Sequence, residues 1–215
     1  MIIKNVPFFA NPDETHCFQA CLKMILKYYF PEKDYSWEEL DKITQKIPKK
    51  ATWSEAGYLY LAENNFDVVY IRQIDIKRFL QQGLKYLQEE YGKEVREYIK
   101  KYGDIKQGVE IFKTFANHPQ IKCENRIPKK GDVKYYLSKS YLIICLVNWK
   151  MLYHKKGYGG HFVLVFGFDG KKIYFHDPGL PGIKNWVVNV GEFLKALYSP
   201  SPKNAELTAI KLKRR

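Results

Sequence analysis

The chain has 215 residues, 46% of them hydrophobic and 27% charged, enough apolar material for one sizeable core and too much for a disordered or fibrous protein. Its 36 Lys and Arg stand against 23 Asp and Glu, a net charge of +13, so a nucleic-acid or acidic partner has to be weighed. The basic residues are scattered among glutamates, apart from short runs such as Lys49-Lys50 and the tail Lys211 to Arg215, which favours a solvated surface over a nucleic-acid face.

No apolar run approaches the ~18 residues of a helical membrane span, so no membrane partner is expected. The segment Met1 to Ala10 is too short for the hydrophobic region of a secretory signal. Four cysteines, at 17, 21, 123 and 145, lack the spacing of a disulfide framework, and a reduced, cytoplasmic protein is expected.

Residues Asn11 to Tyr29 read NPDETHCFQACLKMILKYY: a turn-rich lead-in gives way to apolar residues at helical spacing, so an amphipathic helix opens at or just before Cys17. A thiol on a first helical turn faces unpaired N–H groups and the positive end of the helix dipole, which favours its thiolate. Pro31 stops this helix. Ser36 with Glu39 predicts a capping box for a short helix to about Lys46, and Thr52 with Glu55 predicts a second one, closed by Asn64-Asn65. Phe66 to Ile71 reads as a strand from its β-branched and aromatic content.

Between Asp75 and Phe115 the composition shifts to Lys, Glu, Gln, Tyr and Leu broken by glycines, predicting helices at about 75–91, 93–102 and 105–116. This is a helical insertion, either packed on the core or acting as a lid. A short strand is expected at Gln120 to Cys123, a helix at Lys130 to Ser138, and a buried strand at Tyr141 to Val147. Strands His161 to Phe168 and Lys172 to His176 flank a hairpin at Asp169-Gly170, and the second runs into Asp177-Pro178-Gly179. A helix at about Val190 to Tyr198 and a strand at Leu207 to Leu212 follow. The order predicts an α+β fold in a single domain, residues 1–215, with the N-terminal helix packed on a C-terminal antiparallel sheet.

In a two-residue hairpin His161 falls opposite Pro178, one step from Asp177, so imidazole and carboxylate can meet at the open end. A carboxylate there holds the tautomer of the ring and stabilises its protonated form. With Cys17 the set contains a nucleophile, a base and an orienter. His118, His154 and His176 read as surface or loop residues, with His176 on the opposite side of its strand from Asp177. A zinc site built on His16, Cys17 and Cys21 has poor spacing, with no second CxxC or HxxxH, and neither metal nor cofactor is expected.

The residues resemble a family. Cys17 followed by ACLKMILKYY, and GGHFVLVFGFDGKKIYFHDPG at 159–179, are similar to papain-like cysteine peptidases, specifically the double-glycine leader peptidases and their stand-alone relatives. The resemblance covers about 8–30 and 140–180 and implies the papain-like fold, a peptide or protein substrate, and a thiol-dependent cleavage. It makes Cys17 the nucleophile, His161 the general base and acid, and Asp177 the orienter. The family's oxyanion glutamine, six positions before the cysteine, corresponds to Asn11, which keeps the amide donor on a side chain one methylene shorter. Phe18 stands where the family usually has Gly or Trp. The alternatives are a catalytically weak or inactive papain-like module that binds peptides, and a basic nucleic-acid-binding domain.

Overall fold

The computed structural model describes residues 1–213; Arg214 and Arg215, the end of the basic tail, lie outside the described residues. The first helix, α1 (Cys17–Tyr29), starts at the cysteine, with a fully buried stripe of Phe18, Cys21, Leu22 and Ile25. Helix α2 (Trp37–Ile43) carries the expected capping box, Ser36 Oγ accepting from Glu39 N and Glu39 Oε2 from Ser36 N. Helix α3 (Ser54–Glu63) departs from expectation: its N-cap is Trp53, with no side-chain bond. The Thr52 hydroxyl accepts from Gln19 Nε2 instead (2.8 Å), and Glu55 is buried beneath the cleft wall.

The insertion forms α4 (Ile76–Gln82), α5 (Leu84–Tyr91), α6 (Lys93–Tyr102) and α7 (Ile105–Ala116). The single helix expected over 75–91 breaks at Gly83, whose φ of +51° interrupts the helical path at little cost only in glycine. Phe112 and Phe115 of α7 pack on Tyr70, so the insertion shares the main core.

The strands are β1 (Ile2–Ile3), β2 (Phe66–Arg72), β3 (Ile121–Glu124), β4 (Leu142–Asn148), β5 (Gly160–Phe168), β6 (Lys172–Asp177), β7 (Ile183–Asn189) and β8 (Glu206–Leu212). They form one sheet in the order β3-β2-β8-β4-β5-β6-β7, with β1 added against β5. Every pairing is antiparallel except β2 with β3, which is parallel. The sheet therefore takes in strands from the N-terminal half as well as the expected C-terminal ones. Side chains alternate between two cores, as the two-residue period of a strand requires. Phe162, Leu164 and Phe166 join α1, α3 and α7 on one face. Val163 and Val165 join α8 (Lys130–Ser138), α9 (Trp149–Leu152) and α10 (Val190–Leu197) on the other. Helices thus cover both faces, so the observed α/β arrangement has one more layer than a helix laid on a sheet.

The hairpin register also differs. The last paired residues are Phe168 and Ile173, leaving four residues in the turn. Asp169 causes this: its Oδ1 accepts from Lys171 N (2.9 Å) and Lys172 N (2.7 Å), and its Oδ2 from Tyr174 OH (2.8 Å). The register then shifts between Val165 and Gly167, so that Val165 faces Phe175 and Leu164 faces His176. One further step sets Asp177 beside Val163, on the same side of the sheet as His161.

Candidate active site

Helix α1 packs across one face of the sheet with its first turn against the start of β5, where Phe18 meets Phe162, and this brings Cys17, His161 and Asp177 together. His161 Nε2 donates to Asp177 Oδ1 at 2.6 Å. Its other ring nitrogen remains for the thiol, and Cys17 lies close enough to the ring for the charge of each to act on the other. Asp177 is 1% exposed and further held by Gly179 N (2.8 Å, to Oδ1) and Tyr153 OH (3.0 Å, to Oδ2). Cys17 and His161 keep partial exposure along a cleft of about 480 Å³.

The charges follow from these contacts. Burial alone pushes the Cys17 thiol up, but the His161 charge and hydrogen bond, with the N–H groups of Phe162 and Phe18, bring it below its ordinary value. Burial disfavours the His161 cation, yet the Cys17 thiolate and the Asp177 carboxylate raise His161 to about 10. Burial raises Asp177, and the His161 hydrogen bond and charge more than offset it, leaving the carboxyl below its usual range. The contacts thus shift all three groups toward their charged forms, the thiol and carboxyl downward and the imidazole upward.

Asn11 lines the same cleft. Its Oδ1 accepts from the backbone N–H groups of His16 (3.1 Å) and Asp13 (3.3 Å), and its own N–H donates to Pro178 O (2.8 Å). Two N–H donors on one atom identify that atom as the amide oxygen. Its Nδ2 then has no hydrogen-bond partner among the described residues, which leaves a donor at the cleft beside the first-turn N–H groups of α1. Phe18 is buried, edge-on to Tyr58 and Phe162. A Cβ on Gly57 would lie 2.5 Å from its ring, so α3 packs closely over it.

His176, expected at the surface, is fully buried. Its Nε2 bonds Val6 O (3.0 Å), its Nδ1 accepts from Asn185 N (3.1 Å), and its ring packs on Phe8 and Phe166. It is on the opposite side of β6 from Asp177, as strand alternation requires. Cys21 is buried in the core, and Cys145 in the other one. Among the described residues no group of three or more His, Cys, Asp or Glu is gathered to hold a metal ion, and no helix is long and apolar enough to cross a membrane.

Sequence spacing pointed to none of the aromatic walls. Tyr98 of α6 donates to Gly160 O (3.0 Å) and stands edge-on to Tyr158, bringing the insertion to the residue beside His161. Trp149 backs Gly159, where a Cβ would lie 2.2 Å from the indole, so the GG pair before His161 has a steric reason. Only the aromatic content of the chain, 16% of its residues, hints at such a cleft.

No family model matches the sequence, and no curated protein matches it. In structure the chain is similar to the peptidase domain of Streptococcus ComA, a bi-functional ABC transporter involved in a quorum-sensing pathway. Identity is 13%, coverage is 98% of this chain and 100% of that one, and the TM-score is 0.50. The likeness establishes a papain-like peptidase fold with mixed helices and sheet.

Proposed function

We propose that this chain is a thiol-dependent hydrolase that cleaves a peptide or amide bond, its residues 1–215 making one papain-like domain with a helical insertion at about 75–116. The observation that carries the reading is the meeting of thiol, imidazole and carboxylate in one cleft, with His161 Nε2 2.6 Å from Asp177 Oδ1 and the Cys17 thiol beside the same ring. The fold neighbour, itself a peptidase domain, supports a peptide or protein substrate. The unpaired state of all four cysteines suits a reducing compartment such as the cytoplasm.

The Cys17 thiolate attacks the carbonyl carbon, and the oxyanion receives the Asn11 Nδ2–H and the Cys17 N–H. His161, already protonated, gives its proton to the leaving amine as the C–N bond breaks. The neutral ring then takes a proton from water, whose oxygen attacks the thioester; the acid leaves and the thiolate–imidazolium pair is restored. Asp177 stays ionised throughout, holding the ring by Nε2.

Alkylation by iodoacetamide near pH 6, located by mass spectrometry, tests the reading. Cys17 reacts first in the native protein, and the rate falls roughly tenfold or more in His161→Ala, because the imidazolium no longer offsets burial of the thiolate. Equal and slow labelling of all four cysteines overturns it.

A further inference from the structure

The cleft that holds Cys17 is also lined by Glu55 on α3, Arg72 at the end of β2 and Glu206 at the start of β8. These side chains are deeply buried, at 1%, 8% and 1% exposure. Glu206 is satisfied: Ser54 Oγ (3.2 Å) and Tyr58 OH (3.4 Å) reach Oε1, and Arg72 Nη1 (3.0 Å) reaches Oε2. Glu55 is not. Its Oε1 accepts from Tyr70 OH (3.0 Å), while its Oε2 has no partner.

Two buried carboxylates therefore lie near a single guanidinium that bonds only Glu206, and an unmatched carboxylate in the interior costs free energy unless a ligand or a proton supplies the missing charge. Burial and the Glu206 carboxylate push Glu55 above the usual carboxylate range, Arg72 opposing them. Tyr158 stands between this network and the reacting end of the cleft, close enough to Arg72 and Glu206 for their charges to act on it. Asn204 Nδ2 donates to Tyr158 OH (3.1 Å), Tyr158 stacks edge-on to Tyr98, and Tyr98 bonds the Gly160 carbonyl next to His161. In a chain of net charge +13 this is an acidic recess within a basic protein.

We propose that Glu55, with Glu206 and Arg72 behind it, forms a specificity pocket for a protonated nitrogen group of the substrate, either a lysine or arginine side chain or a free chain amino terminus. The ammonium meets the Glu55 carboxylate, whose Oε2 lies just under the cleft surface, and completes the charge count. The pocket rests on the hydrolase reading for its place in catalysis, while its ability to bind a cation does not.

Peptidyl vinyl sulfones carrying lysine or norleucine at one of the four positions before the electrophile, each with a free or an acetylated amino terminus, separate the two sources. The native protein is alkylated at Cys17 at least tenfold faster by a cationic probe than by its neutral partner, and that ratio falls toward one in Glu55→Gln. Because the ratio is taken within each protein, a general loss of thiol reactivity cancels. A preference set by lysine identifies the side chain; one set by the free terminus identifies the chain end. A ratio near one in the native protein for every pair overturns the pocket.

An independent reading needs no reaction and no variant. n-Butylammonium raises the melting temperature of the native protein above that found with 1-butanol at equal concentration and ionic strength. Equal melting temperatures overturn the proposal. An iodoacetamide-inert Cys17 in a protein that still responds to butylammonium defeats the hydrolase reading and leaves the pocket standing.

Discussion

At the scale of single residues, Asn11 has two tasks on one side chain. Its oxygen ties down the N–H groups of Asp13 and His16, and its nitrogen is left over for the cleft. Asn11→Asp separates the tasks, since a carboxylate keeps the acceptor and loses the donor. Peptide hydrolysis by this variant should fall on the order of 10²- to 10³-fold in kcat, the usual effect of removing one oxyanion donor, with a much smaller effect on iodoacetamide alkylation, which forms no oxyanion. The ion pair also sets a pH signature. Cys17 should alkylate below its ordinary value of 9.0, whereas the exposed Cys123, whose thiol is shifted upward, needs a more alkaline solution. A rate profile with equal midpoints for the two cysteines defeats this. Cys17, His161 and Asp177 were legible because each sits at a strong local signal: a helix start, a Gly-Gly pair and a DPG turn. The free nitrogen of Asn11 was not, because two backbone groups folded back by the loop choose which end of the amide faces the cleft.

Among the elements, two close contacts of the insertion carry the predictions. Gly108 of α7 lies against Trp53, where a Cβ would come within 2.3 Å of the indole, and the ring cannot turn away because its Nε1 donates to Asp104 O (2.8 Å). Gly108→Ala should therefore destabilise the fold by about 1–3 kcal/mol through overpacking, read from urea unfolding. Tyr98→Phe removes the bond from α6 to Gly160 O and should cost about 1 kcal/mol, with faster hydrogen exchange confined to α6. Unchanged exchange there would mean that α6 is held by other contacts. Helix α1, the Ser36 capping box and strands β2, β4, β5 and β6 were all readable from periodicity and caps. Strand β7 was missed because only Val188 of its residues is buried, so an exposed edge strand leaves little apolar alternation to read. Thr52 misled for another reason: a capping signal is local, and the distant Gln19 claimed its hydroxyl. The hairpin is the instructive case. A two-residue turn would have turned Asp177 to the wrong side of the sheet, and the longer Asp169 turn alone would have done the same. The extra residue near Phe166 restores the parity, and neither the Asx-type turn nor the bulge has a sequence signature strong enough to read in advance.

Across the whole molecule, the charge row links the site to the stability of the fold. Asp177, held below its ordinary 3.8, contributes stability above that pH and loses it as acid protonates the carboxylate. His161, held up to about 10, contributes fully below its ordinary 6.5 and loses its share as pH rises through about 10. The melting temperature of the native protein should thus exceed that of Asp177→Asn most between about pH 4 and 6.5, with the gap narrowing on both sides. A gap that widens into acid would contradict the assignment. The α+β class was visible from the order of elements, but the strand order was not, since it depends on where 206–212 inserts. That strand lies between β2 and β4, bonded along both edges. It follows that a ribosome-bound chain carries Cys17 and both of its partners long before the centre of the sheet can close. Until residues 206–212 have left the exit tunnel, β2 and β4 have no common neighbour, and the thiol cannot be set against its imidazole on a finished scaffold. Synthesis itself then acts as a delay on the nucleophile: a chain released after residue 205 should remain uncooperative in unfolding and alkylate all its cysteines alike.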